Sequence, residues 1–239
     1  ICVIKPAGYE LQGILKIISD IQESSVISYL TESFWKFLIL TELSKKLLEQ
    51  IETKPSYVPL DHDEESFREF IHNKQNLILP DFTVRLDELI SQITRNLPER
   101  GITSEKIRFS ELLHEGLIYQ LREHLGKLLE NRNKTIILID NLDKAWIKGE
   151  NLTSLSELLI GLLRANTVIV NNFLKEDYKL KKIDIYSSIF IRSDIFNHIY
   201  SAAREPDKIQ HELLTWNDPE KLVRIIDARL ENRFDDKLD

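Results

Sequence analysis

Two rhythms of apolar and polar residues divide this chain. In its first half Val26, Ile27, Leu30, Phe34, Phe37, Leu38, Leu43, Leu47, Leu48 and Ile51 recur at the spacing of one helical face, with Trp35 inside the run and Lys54-Pro55-Ser56 ending it. Asp61-His62-Asp63-Glu64-Glu65 then reads as an acidic loop or helix cap. Shorter helices are predicted around Ser66 to His72 and Val84 to Asn96. A longer one is predicted from Glu111 to Glu130, through Leu113, Leu117, Leu121, Leu125 and Leu128. The apolar stripes of this helical half read as core before interface.

The second half changes period. Thr135-Ile-Ile-Leu-Ile runs four branched apolar residues into Asp140-Asn141-Leu142-Asp143, the pattern of a central parallel strand buried on both faces. Apolar residues from Leu152 to Leu174 then follow one helical face, and that face continues through Thr167-Val-Ile-Val170, which alone would pass for a strand. Ser187-Ser-Ile-Phe-Ile191 is a second buried-strand pattern, ending in Arg192 before a helical start. Strand, helix, strand is by default a parallel crossover, which sets Asp140 and Arg192 on one edge of one sheet. Ile1 to Ile4 reads as a further short strand and Leu213 to Trp216 as a last one. Beyond it, Asp218 is placed to cap a helix with Pro219 at its first position, and Leu222, Val223, Ile225, Ile226 and Leu230 on its buried side.

Ligands of such sheets bind at the carboxyl ends of the strands. A carboxylate there can hold the Mg²⁺ of a bound nucleotide, or it can simply cap the next turn, and Asp140 suits both roles. Arg192 can meet phosphate charge, or it can pair with Asp194 or Asp143. Arg224 and Arg229, on the last helix, read as solvent-facing.

The segments IILIDNLDKAW, SSIFIRSDIF and LLTWNDPEKLVRIIDARL, in that order, resemble bacterial P-loop ATPases of the STAND and AAA-like branch. The resemblance covers residues 133 to 234 best and the first half loosely. It implies an α/β fold: a three-layer P-loop NTPase-like parallel sheet with a large α-helical insertion and a helical C-terminal part. The nucleotide-binding core would begin in residues 1–23 and resume over 133–216. The insertion would occupy 24–132, and the C-terminal helix 217–239. It further implies ATP and Mg²⁺ as cofactors, and a cytoplasmic nucleotide-dependent switch with a protein partner or self-association, in the manner of defence or stress regulators. Asp140 would be the Walker B aspartate, Asn141 its neighbour in the nucleotide site, and Arg192 the polar sensor at the next strand tip. Many relatives carry an acidic residue after the Walker B aspartate. Asn141 can orient water but cannot take its proton, so Asp143 is the nearest substitute carboxylate and slow hydrolysis is expected.

One departure from that pattern is large. No G-x-x-x-x-G-K-[ST] occurs, and seven glycines in 239 residues leave little to wrap a phosphate. The chain also lacks methionine throughout and begins at Ile1. It therefore reads as an excerpt that starts just after its own Walker A, or as a degenerate fold that never had one. A catalytically inactive scaffold holding partners through the helical insertion is the alternative function.

Composition narrows the remaining classes. A net charge of −7 implies no broad nucleic-acid face, and Lys179, Lys181 and Lys182 read as a solvated helix end. One cysteine excludes an internal disulfide and suits a reducing compartment. No uninterrupted run reaches the roughly 18 apolar residues of a membrane span, and no signal peptide is visible. Asn133-Lys-Thr and Asn151-Leu-Thr match glycosylation sequons by chance in a cytoplasmic protein. No two of the six histidines share an i, i+4 spacing, Asp61-His62-Asp63 reads as a solvated loop, and no nucleophile elbow occurs.

Overall fold

Strand β1 (Cys2–Ile4) is followed by helices α1 (Ser24–Glu52), α2 (His62–Asn73) and α3 (Gln75–Ile78). A π-helical turn over Leu113–Ile118 then runs into α4 (Tyr119–Glu130). Strand β2 (Thr135–Ile139), a 3₁₀ turn (Leu142–Ala145), α5 (Leu152–Leu174), β3 (Ile185–Ile189) and α6 (Ser193–Ala202) come next. The computed structural model describes residues 1–6, 24–81, 113–145, 152–174, 182–203, 205–215 and 218–235, together with residues 11, 12, 15, 84, 85 and 88. The helix expected at 84–96 lies outside these apart from Val84, Arg85 and Glu88, as do Lys179 and Lys181. The chain forms two compact units, Ile1–Arg204 and Glu205–Asp239.

The fold of the first unit is α/β. Its sheet has the order β1–β2–β3 and is parallel throughout. β2 is central, as its continuous apolar run predicts, and α5 provides the crossover to β3. The register aligns Cys2 with Ile137 and Ile4 with Ile139, and then Ile137 with Ser187 and Ile139 with Ile189. These residues share the buried face. Val3, Ile136, Leu138 and Tyr186 share the other, where Val3 and Tyr186 are 52% and 51% exposed. A parallel sheet is ordinarily covered on both faces. On the second face of this sheet Ile136 and Leu138 are half-buried.

Helix α1 owes its length to an apolar face that never breaks, from Leu30 through Phe34, Phe37, Leu38 and Leu47 to Ile51, all buried. It packs along α5 and touches β1. The described stripes of the helical half are core, as the periodicity indicated. Two contacts fix the α1–α5 pairing. Trp35 Nε1 donates to the Leu158 carbonyl at 2.8 Å in a buried setting. At Gly161 the helices approach so closely that a Cβ would stand 2.4 Å from Thr31 Oγ1 and 2.6 Å from Thr31 Cβ. α5 is also long and apolar enough to cross a membrane by length and composition alone, but half of that stretch is buried in the fold.

The acidic run resolves as a cap. Asp61 accepts from the Glu64 amide at 2.9 Å and Glu64 accepts in return from the Asp61 amide at 3.2 Å, so α2 begins at His62 and not near Ser66. Lys54 Nζ closes on the same Glu64 carboxylate at 2.6 Å. The helix expected from Glu111 is α-helical only from Tyr119, because a π turn precedes it.

The second unit contains a 3₁₀ turn (Pro206–Lys208) and α7 (Pro219–Asp235). Asp218 caps α7, its carboxylate accepting from the Glu220 amide at 3.0 Å. Two expectations are corrected here. Leu213, Leu214 and Thr215 form no strand, and both leucines are exposed within this unit; Trp216, the last residue of that expected strand, lies outside the described residues. Leu222, Val223, Ile225, Ile226 and Leu230 are exposed as well, so nothing among the described residues of this unit buries the apolar side of α7.

Candidate functional site

The carboxyl ends of the three strands gather charged residues by backbone geometry alone. β1 delivers Lys5, β2 delivers Asp140 and β3 leads to Arg192 through Phe190 and Ile191. The ladder holds these ends level: the Asp140 amide donates to the Ile4 carbonyl at 3.0 Å and the Phe190 amide to the Ile139 carbonyl at 2.8 Å. β3 is set two residues earlier than its apolar pattern suggests, because pairing begins at Ile185 opposite Thr135. Ile191 and Arg192 have left the ladder by then. Asp140 and Arg192 still emerge at the same edge of adjacent strands.

The turn after β2 is sharp. Asn141 has φ 69°, in the left-handed region that asparagine tolerates better than most residues. Its amide donates to Asp140 Oδ1 at 2.8 Å. The turn then drops Leu142 into the core and carries Asp143 onward on the 3₁₀ turn. The Asn141–Asp140 bond is local to the turn and caps no helix amide further on. The second oxygen of Asp140 faces Lys5 Nζ at 3.8 Å, with both side chains exposed.

Arg192 is engaged by carboxylates on two sides. Its Nε and Nη2 donate to Asp194 Oδ1 and Oδ2 at 3.2 and 2.8 Å, a bidentate fork, and its Nη1 lies 3.9 Å from Asp143 Oδ2. Both ion pairs considered for Arg192 are therefore formed. The Arg192 guanidinium holds the Asp194 carboxyl below the usual carboxylate range. Arg192 itself sits at the N-cap of α6 with extended backbone and makes no side-chain cap bond.

The tip thus carries Asp140, Asp143 and Asp194 against Lys5 and Arg192. Lys5 was not among the residues singled out by pattern. The signal for it was the three-residue strand β1, since pairing that strand with β2 sets the next residue beside Asp140. No cluster of three histidine, cysteine or acidic side chains able to hold a metal occurs among the described residues. A magnesium ion bound with a nucleotide needs only one or two carboxylates plus phosphate and water. Asp140, with one oxygen on the turn amide and the other exposed beside Lys5, could meet that lesser demand only through a water. Asn141 and Asp143 flank it. No family model matches this chain, and neither does any curated protein or solved structure.

Proposed function

We propose that this chain contains the core of a P-loop-like ATPase that works as a nucleotide-dependent switch with slow hydrolysis. One observation supports the reading above the others: Asp140 and Arg192 leave adjacent parallel strands at the same edge, with Lys5 on the third strand beside them. This is where α/β sheets bind ligands. Bound magnesium would supply positive charge across the β and γ phosphate oxygens. Asp140 would hold it through water, and Lys5 would add charge at the same edge. Arg192 would answer γ-phosphate charge by exchanging one of its carboxylate partners for phosphate oxygen. Asn141 orients water without accepting its proton, and Asp143 is the carboxylate next in line, already turned toward Arg192. That assignment favours slow turnover and a switch over a motor. A role in bacterial defence or stress response follows the family resemblance.

A second reading is an inactive scaffold that holds protein partners on the same fold. It draws support from the bidentate hold of Asp194 on Arg192. Calorimetric titration of the natural full-length gene product with ATP, with and without Mg²⁺, separates the two. Magnesium-dependent binding that weakens in Asp140→Asn supports the switch. No binding, or binding indifferent to that substitution, leaves the scaffold.

A further inference from the structure

We draw no further inference here: the strongest candidate, the apolar side of α7 formed by Leu222, Val223, Ile226 and Leu230 in the second unit, is an unpartnered helix face, and nothing in the structure shows what covers it.

Discussion

Arg192 grips Asp194 through two parallel hydrogen bonds, 3.2 and 2.8 Å long, while its remaining amino group lies 3.9 Å from Asp143. An arginine so held must give up a partner before it can meet a phosphate. Asp194→Asn should therefore raise the affinity for magnesium–ATP severalfold by releasing the guanidinium, and Arg192→Gln should lower it. Calorimetry on both variants of the full-length protein reads the two directions. Weaker binding in Asp194→Asn would mean that the fork positions Arg192 for the ligand and does not restrain it.

The close approach of α1 and α5 at Gly161 carries a stability cost for any larger residue. Alanine is ordinarily favoured over glycine within a helix by about 1 kcal/mol. Here its Cβ would fall 3.0 Å from the Thr31 backbone carbon and closer still to the Thr31 side chain, and backbone cannot swing aside. Overpacking costs about 1–3 kcal/mol, which outweighs the propensity gain. Gly161→Ala should lower the urea midpoint, and Thr31→Ala in the same chain should restore part of it by removing the hydroxyl.

Asp61 and Glu64 exchange capping bonds at the start of α2, with Lys54 on the same glutamate. Loss of the cap in Asp61→Ala should cost about 1 kcal/mol. Asp61→Asn should retain nearly all of it, since an amide oxygen caps as well as a carboxylate does. Chemical denaturation of the pair distinguishes capping from charge.

His124 stacks on Phe70 with ring centroids 4.4 Å apart and tilts against Phe67 at 6.4 Å, joining α4 to α2. Burial, and then Lys127, hold its pKa below the ordinary 6.5, with Glu123 and Asp63 opposing. The neutral ring is the one the fold accepts. Its contribution is complete above pH 6.5 and is lost as pH falls through the lower folded value, because the unfolded chain binds the proton first. His124→Gln should flatten the decline of stability between neutral and mildly acid pH. An unchanged slope would remove His124 as its source.

Cys2 lies buried on the covered face of β1, and burial with the nearby Glu42 carboxylate pushes its thiol up to about 11. The thiolate is the reactive form. Ellman's reagent at pH 8 should find no fast-reacting thiol in the native protein and one equivalent after unfolding.

The strongest patterns were those where a single period ran long. α1 and α5 kept one face apolar for many turns, and α5 did so through Thr167-Val-Ile-Val170 despite local strand propensity. β2 was legible because four branched residues ended at an acidic turn. Leu213-Leu-Thr215 misled for the opposite reason: three residues of strand-like composition are too short a run to specify a strand. At the strand tips, Asp140 and Arg192 followed from topology, whereas Lys5 depended on a three-residue strand too short to weigh.

The left-handed backbone at Asn141 sets a limit on redesign. On the proposed ATPase reading, a carboxylate directly after Asp140 would be the route to faster hydrolysis. Glutamate has the reach, but its longer side chain makes no local bond to ease φ 69° and would pay the left-handed penalty of about 1 kcal/mol or more. Aspartate fits the turn but is shorter. Chemistry and backbone therefore ask for different residues at position 141, and asparagine is the one that satisfies the backbone.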